Sequence, residues 1–322
     1  MFEKRIKEIS GKLNNPSKKE FCILTHKKHN REIYFQNNSR TIKFIEIKFN
    51  PSLKKFKTIK NIIYFLIRAR ILQPFLKKIK LSPELGGVIF VAGQIKSFDL
   101  EKNIVTSFPK NKDKKFIKFK GFQKNISEKG FAPKIFEINK KFPFSKEELL
   151  LEYKGGKDAE VFKKLYSFYD LKGIKEITLK KYIYLLNRKL RKSKIKDSFI
   201  KETLKRILAT YPNNTKLKTV NVHGDFAKEQ ILLKNNSYVF VDWSSERDII
   251  ARDLIKFFRG EKDLLNNNQF NKLLNLYPKD VKKNIGLYII LNEIYSMIKR
   301  KTVEEFPKKR IENVLNHLNL GK

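Results

Sequence analysis

The sequence predicts an α+β fold of two lobes, in which a small antiparallel sheet precedes a mainly helical region. Short strand-like runs cluster between residues 86 and 108. From residue 158 onward, apolar residues recur at helical spacing. A run of strands followed by a run of helices is typical of α+β proteins. The 322 residues suffice either for two lobes with their own cores or for one domain with an extension.

The chain is strongly basic. It has 72 Lys and Arg against 33 Asp and Glu, a formal net charge of +39, while 41% hydrophobic residues indicate a globular protein. This charge favours anionic partners such as nucleic acid, acidic lipid headgroups or phosphorylated glycans. No helix-turn-helix, zinc-finger or RNA-binding sheet motif appears, which argues against nucleic acid.

The N-terminal sequence and the single cysteine bear on location. Cys22 excludes an internal disulfide and a multi-thiolate metal site, and it fits a reducing compartment. The first residues lack the apolar segment of a secretory signal. We therefore expect a cytoplasmic protein. The basic segment Asn61–Leu81 predicts either a helix that contacts the inner, anionic face of the membrane or an ordinary amphipathic helix packed on the protein.

The N-terminal residues 1–82 match no motif and predict a basic extension. Glu32–Gln36 and Thr41–Phe49 read as two strands. The turn-rich segment Ser82–Gly87 predicts the start of the main domain, which would span 83–322.

The next segment predicts the small sheet of an N-lobe, about 83–153. The runs Gly87–Gly93, Gln94–Leu100 and Asn103–Phe108 read as strands, and Lys114–Lys129 reads as a helix. The C-lobe, about 157–322, is predicted from helical periodicity. Its helices are Asp158–Asp170, Lys180–Lys192, Ser198–Tyr211, Gln269–Tyr277, Asp280–Arg300 and Val303–Leu318.

The stretch from Val220 to Phe258 carries the chemistry. It contains His223-Gly224-Asp225, then Gln230, then an apolar hairpin with Asn235 and Asn236 at its turn, and then Asp242. The hairpin should bring Asp242 back beside the loop that carries Asp225. Two carboxylates and an amide oxygen would then converge, and hard oxygen ligands suit Mg²⁺ bound to phosphates.

These residues resemble the catalytic core of the aminoglycoside phosphotransferase and choline kinase superfamily, which has a protein-kinase-like fold. The pattern there is roughly HGDxxxxN, a hairpin, an (I/V)D(W/F) segment and a helix start with Asp. The resemblance implies that Asp225 is the catalytic base and that Asp242 holds Mg²⁺ on the nucleotide phosphates. It implies structural support from His223 and Asp253. Gln230 stands where the pattern has Asn, and it would be the second metal ligand.

The resemblance also implies nucleotide contacts in the N-lobe. Backbone groups of Glu152, Tyr153 and Lys154 would contact the adenine at the hinge. The phosphate-binding lysine of this fold lies on a sheet strand and pairs with a glutamate of the next helix. Lys110 is the candidate and Lys96 its rival, yet the only acid of the helix 114–129 is Glu128, near its end.

The resemblance implies ATP-dependent, Mg²⁺-dependent phosphorylation of a hydroxyl on a small molecule or glycan. The basic charge favours sugars of lipopolysaccharide or another surface polysaccharide. The alternative is a catalytically weak pseudokinase or a protein that binds an anionic partner, because Gln230 departs from the pattern and no lysine–glutamate pair can be assigned.

Overall fold

The computed structural model describes residues 2–13, 15–26, 31–49, 74, 76–109, 114–193, 195, 197–244 and 246–318. Residues 61–73 and 75 of the predicted membrane-facing helix lie outside these ranges, as does the phosphate-binding candidate Lys110. The chain forms two compact units, Met1–Leu150 and Leu151–Lys322.

The first unit is built on an eight-stranded antiparallel sheet. Its strands are β1 Lys19–His26, β2 Arg31–Phe35, β3 Lys78–Leu81, β4 Val88–Val91, β5 Gln94–Asp99, β6 Ile104–Pro109, β7 Ile135–Asn139 and β8 Phe144–Glu148. The strand order is β3-β1-β2-β4-β5-β6-β8-β7. The sheet therefore crosses the boundary predicted at residues 82 and 83, and strands from both sides of it lie in one sheet.

Helices α1 (Phe2–Lys12) and α2 (Ser39–Phe49) pack in two separate apolar clusters of this unit. Phe21 of β1 belongs to the cluster of α1, and the next residue, Cys22, belongs to that of α2. Successive side chains of a strand point to opposite faces, so the two helices cover opposite faces of the sheet.

The prediction of a strand at Thr41–Phe49 was wrong, because this segment is helix α2. Its buried residues Ile42 and Ile45 are three apart, which is a helical spacing. A further helix of the unit, α3 (Lys114–Glu128), confirms the helix predicted after the third strand of the N-lobe.

The second unit is mainly helical. Its helices are α4 Asp158–Lys172, α5 Leu179–Ser193, α6 Ser198–Thr210, α7 Arg252–Phe257, α8 Asn268–Leu274, α9 Lys279–Lys283, α10 Ile285–Arg300 and α11 Glu305–His317. Every residue of α10 from Ile285 to Ile298 is buried, which makes α10 the central helix of this unit. Each fully buried Ile or Leu side chain contributes about 1.5–3 kcal/mol to folding.

Two three-stranded sheets complete the second unit. The strands are β9 Leu151–Glu152, β10 Lys175–Thr178, β11 Lys216–Asn221, β12 Ile231–Lys234, β13 Ser237–Phe240 and β14 Arg247–Ile249. They are ordered β10-β11-β14 and β13-β12-β9. The predicted fold class, an antiparallel sheet followed by a mainly helical part, is confirmed. Within the described ranges, no helix has the length and apolar character needed to cross a membrane.

Candidate active site

A tight loop follows β11 and carries Asp225. Gly224 has φ +93°, a conformation that side chains disfavour, and a Cβ placed on it would lie 2.8 Å from Cβ of Ser244. Glycine is therefore required here on two counts. The close approach exists because the backbone N–H of Ser244 donates to the His223 carbonyl at 2.9 Å.

His223 is a buried brace between this loop and the hairpin. Its side chain is 0% exposed, and its ring lies 5.0 Å from that of Trp243 between centroids. Its Nε2 lies 2.5 Å from the carbonyl oxygen of Val241, so Nε2 carries the proton and donates. Burial lowers the pKa of His223, against the opposing charges of Asp253, Asp242 and Asp225. The imidazole is therefore neutral at pH 7.

Asp253, at the start of α7, holds the backbone of the loop. Its carboxylate is completely buried and accepts the N–H of His223 at 2.7 Å and the N–H of Gly224 at 2.8 Å. It also accepts the Tyr169 hydroxyl at 2.7 Å. The two main-chain bonds fix the peptides immediately before Asp225.

Arg252 holds the same loop through the carbonyl group of Gly224. Its Nε donates to the Gly224 carbonyl at 3.4 Å, and its guanidinium lies 4.1 Å from the centroid of the Tyr295 ring. Asp248 pairs with Arg252 and accepts the Tyr182 hydroxyl at 2.6 Å. Neither Asp248 nor Arg252 was assigned a role from the sequence. The i,i+4 spacing of an acid and an arginine was the available signal.

The hairpin is formed as predicted, with β12 and β13 paired and Ile231 opposite Phe240. Asn235 and Asn236 have φ values of 47° and 60°, as a two-residue turn of type I′ requires. The Val241 N–H continues the ladder by donating to the Gln230 carbonyl at 3.0 Å. Asp242 is the next residue, so the hairpin brings it beside Gln230. The bond between His223 and Val241 brings both to the loop of Asp225.

The three oxygen-bearing side chains differ in exposure. Asp225 is exposed, whereas Gln230 and Asp242 are half-buried. The Gln230 Oε1 atom is buried and has no hydrogen-bond partner among the described residues. Asp242 adopts φ +58°, an uncommon conformation for a residue with a side chain. Strained non-glycine residues of this kind occur often at functional sites.

This set of donors fits a hard divalent cation. Carboxylate and amide oxygens are the ligands that Mg²⁺ prefers, and Mg²⁺ commonly takes one or two carboxylates plus phosphate oxygens. The unpartnered amide oxygen of Gln230 and the half-buried carboxylate of Asp242 are two such ligands. Among the residues that the structure describes, no group of three or more His, Cys, Asp or Glu could hold a metal by itself.

Lys256 is a second group that sequence reasoning missed. It lies on α7, and its Nζ donates to the Ser296 hydroxyl at 2.9 Å. Burial lowers the pKa of Lys256 to about 8, although the charges of Glu293 and Asp225 oppose this shift. An amine with a depressed pKa therefore lies within electrostatic reach of Asp225.

The predicted adenine-binding segment lies partly in β9. Glu152 pairs with Leu232 of β12, and the N–H of Tyr153 donates to the Ile231 carbonyl at 3.0 Å. The hydroxyl of Tyr153 donates to Asp158 at 2.7 Å. The N–H of Tyr153 is engaged within the protein, so a contact of Tyr153 with adenine would use its carbonyl. The adenine contacts of Glu152, Tyr153 and Lys154 stay predictions.

The first unit contains a lysine–glutamate pair that the sequence did not reveal. Lys120 of α3 and Glu147 of β8 are 0% and 5% exposed, and Nζ of Lys120 lies 3.3 Å from Oε1 of Glu147. The rival lysine, Lys96, lies on β5, and Glu128 is exposed at the end of α3. The 27 residues between Lys120 and Glu147 hide the pair from any local pattern.

Comparison with known proteins gives similar structures only. No protein-family model and no curated protein matches the chain. Choline kinase LicA from Streptococcus pneumoniae is 13% identical, with a TM-score of 0.46 over 70% of this chain and 89% of that one. A proposed fructosamine-3-kinase from Thermobifida fusca is 10% identical, with a TM-score of 0.47 over 70% of this chain and 89% of that one.

A thermostable mutant of the aminoglycoside phosphotransferase APH(4)-Ia is 11% identical, with a TM-score of 0.42 over 71% of this chain and 90% of that one. Choline kinases and an aminoglycoside phosphotransferase are thus among the similar structures.

Proposed function

We propose that this protein is an ATP-dependent phosphotransferase that phosphorylates a hydroxyl group of a small molecule or glycan. One observation carries the proposal. The exposed carboxylate of Asp225 follows a loop whose peptides are fixed by the buried residues Asp253 and Arg252, and two further oxygen donors are tied to the same loop. Phosphoryl transfer depends mainly on positioning and charge neutralisation, which such a constellation supplies.

In this proposal Asp225 is the catalytic base. It accepts the proton of the acceptor hydroxyl as the oxygen attacks the γ-phosphorus and the bond from that phosphorus to the bridging oxygen of the departing ADP breaks. An exposed carboxylate on a rigid loop can reach a substrate. His223 cannot take this part, because its ring is completely buried and bonded to Val241. His223 and Asp253 therefore act as structural supports that fix the position of Asp225.

Asp242 and Gln230 would hold Mg²⁺. The cation would neutralise charge on the nucleotide phosphates. Gln230 reaches one methylene farther than the Asn of the superfamily pattern. Its unpartnered Oε1 supports the assignment, because a buried acceptor without a partner costs about 1–3 kcal/mol and persists where function needs it.

The acceptor is proposed to be neutral or anionic near its reacting hydroxyl. Lys256 places a positive charge within electrostatic reach of Asp225, and the net charge of the chain is +39. Both disfavour a cationic acceptor. Sugars of lipopolysaccharide or another surface polysaccharide meet this condition. A cytoplasmic protein that contacts the inner membrane face peripherally would encounter such acceptors.

The alternative is a catalytically weak pseudokinase or a binding protein for an anionic partner. The longer side chain at Gln230 favours it, because a displaced amide oxygen would weaken the second metal contact. This alternative requires nucleotide or anion binding without transfer, so it differs from the main proposal in a measurable way.

The first test is a thermal-shift titration with ATP, with and without Mg²⁺, because a ligand that binds only the folded protein stabilises it. Wild type is compared with Asp242→Ala and with the control Asp170→Ala, whose side chain is exposed on α4. We expect Mg²⁺-dependent stabilisation in wild type and in the control, and its loss in Asp242→Ala. Stabilisation that does not depend on Mg²⁺ or on Asp242 would contradict the proposed site.

A further inference from the structure

Helix α5 has an outward face on which cations surround two apolar side chains. Its 15 residues include six Lys or Arg and no Asp or Glu. The inner face is apolar and buried, and it packs on α10. The opposite face, called here the α5 outer face, consists of residues that recur at helical spacing and are all exposed, namely Lys181, Tyr184, Leu185, Arg188, Arg191 and Lys192. With a rise of about 1.5 Å per residue, this face is about 16 Å long.

The cations of the α5 outer face are not neutralised by carboxylates. In the described ranges of the chain, none of its four Lys and Arg side chains forms an ion pair. Helix α1 differs, because its Glu8 pairs with Arg5 and Lys12. On α5, Arg188 and Lys192 are like charges four residues apart, an arrangement that destabilises a helix. The charge therefore lowers the stability of α5 and suits an anionic partner.

Two apolar side chains lie within this charged face. Tyr184 is 64% exposed and Leu185 is 37% exposed. At a bilayer surface a tyrosine ring lies at the level of the headgroups, and Lys and Arg keep their charges in the polar layer while their stems contact apolar groups. The backbone of a nucleic acid also neutralises cations, but it offers Leu185 no apolar phase. The face therefore fits anionic lipid better than nucleic acid.

We propose that the α5 outer face docks the protein on a membrane surface of anionic lipid. Its four cations bind lipid phosphates, and Tyr184 and Leu185 lie at the level of the headgroups. Clusters of four or more Lys or Arg on an amphipathic helix bind anionic lipids, and each charge raises the affinity about fivefold. The inference rests on the proposed function for its membrane contact and names the surface that makes it. Lipid binding requires neither ATP nor phosphoryl transfer, so the two proposals can fail separately.

The docking helix is tied to the loop of Asp225 within the second unit. Tyr182, on the inner face of α5, donates to Asp248 at 2.6 Å. Asp248 pairs with Arg252, whose Nε donates to the Gly224 carbonyl at 3.4 Å. Docking through α5 therefore holds this loop at a fixed distance from the lipid surface. Such a placement suits an acceptor that is part of a membrane component.

The first test measures binding to vesicles by co-sedimentation, without nucleotide. Vesicles of phosphatidylcholine are compared with vesicles of phosphatidylcholine and phosphatidylglycerol in equal parts. The variant Lys181→Gln/Arg188→Gln/Lys192→Gln removes three charges of the α5 outer face. We expect wild type to bind the mixed vesicles in preference to phosphatidylcholine alone. We expect the variant to lose about 100-fold in affinity for the mixed vesicles, as three charges predict.

The matched control removes the same charge elsewhere. Lys118→Gln/Lys124→Gln/Lys129→Gln replaces three exposed lysines on or beside α3, and we expect its affinity to change less than about threefold. Equal losses in the two variants, or no binding of wild type to the mixed vesicles, would overturn the inference. Binding of duplex DNA that the α5 variant loses, by a protein that does not bind the vesicles, would assign the face to nucleic acid instead. Stabilisation of wild type by ATP tests the proposed function independently of these outcomes.

A second measurement locates the contact by fluorescence. Tyr184→Trp places an indole on the α5 outer face, while the only native tryptophan, Trp243, is completely buried. Lipids brominated in their acyl chains quench indoles that lie at the membrane. We expect quenching in Tyr184→Trp and none in wild type or in Phe136→Trp, at an exposed position of β7. An unquenched indole in Tyr184→Trp would refute the assignment, as would quenching in Phe136→Trp alone.

Discussion

Replacing Asp253 by Asn should destabilise the second unit strongly, although the two side chains have nearly the same shape. Asp253 accepts three hydrogen bonds with two oxygens, from His223, Gly224 and Tyr169. The single amide oxygen of Asn can keep only the bonds that one of the two carboxylate oxygens accepts. Its NH₂ group then faces a backbone N–H, which loses its partner in a site that water does not reach.

The magnitude follows from these bonds. An orphaned buried N–H costs about 1–3 kcal/mol, and each remaining bond loses about 1 kcal/mol when its acceptor is no longer charged. The sum is a loss of about 3–5 kcal/mol in the free energy of unfolding. Urea unfolding followed by the fluorescence of Trp243 measures it locally, because Trp243 is the only tryptophan and packs on His223.

The matched control is Asp263→Asn, at an exposed loop position, which should change the free energy of unfolding by less than about 0.5 kcal/mol. A loss below about 1 kcal/mol in Asp253→Asn would refute the reasoning, because the loop would then not depend on the buried carboxylate.

Three further predictions address the loop at Asp225, the buried Lys256 and the proposed metal ligand Gln230. In urea unfolding, Gly224→Ala should lower the free energy of unfolding more than Gly156→Ala does. Both glycines have a positive φ, but only at Gly224 would an added Cβ press against a neighbour, Ser244. Equal losses in the two variants would contradict this close approach. Lys256 has a folded-state pKa of about 8, below the unfolded value near 10.5, so the unfolded chain binds more protons between these pH values and the charged form opposes folding. Between pH 7.5 and 10.5, the free energy of unfolding of wild type should therefore rise by about 2–3 kcal/mol relative to that of Lys256→Met. The control Lys201→Met, which replaces an exposed lysine, should show the pH dependence of wild type. Parallel pH profiles for wild type and Lys256→Met would refute the burial of the charge. Gln230→Ala should weaken ATP binding about tenfold with Mg²⁺ present and leave it unchanged without Mg²⁺, and an equal effect in both conditions would exclude a role in metal binding.

Local signals in the sequence predicted the parts of the site that depend on local geometry. Asn235-Asn236 between two apolar runs predicted the hairpin, and the hairpin predicted that Asp242 returns to the loop of Asp225. Alternating or helical periodicity predicted β2, β4, β5 and β6 and most helices of the second unit, but not α1, β1 or β3. The segment Thr41–Phe49 was predicted wrongly, because its β-branched residues favour a strand while the burial of Ile42 and Ile45 requires a helix.

Contacts between distant parts of the chain could not be predicted from the sequence. Lys120 and Glu147 meet because α3 packs on a sheet in which β8 lies next to β6, and that strand order is a property of the whole unit. The sequence also offered the opposite expectation, a strand lysine with a helix glutamate. Strand β1 likewise pairs with β2 along one edge and with β3 along the other, although β3 lies more than 50 residues later in the chain.

The central claim is that the loop at Asp225 carries out phosphoryl transfer. The most direct test measures Mg²⁺-dependent transfer of the γ-phosphate of ATP to a panel of neutral, anionic and cationic sugars, for wild type and Asp225→Asn. We predict transfer by wild type to neutral or anionic acceptors and a loss of about 10²–10⁴-fold in Asp225→Asn, with ATP affinity unchanged. Transfer at the wild-type rate by Asp225→Asn would contradict the account, and ATP binding by wild type without transfer to any acceptor would favour the pseudokinase.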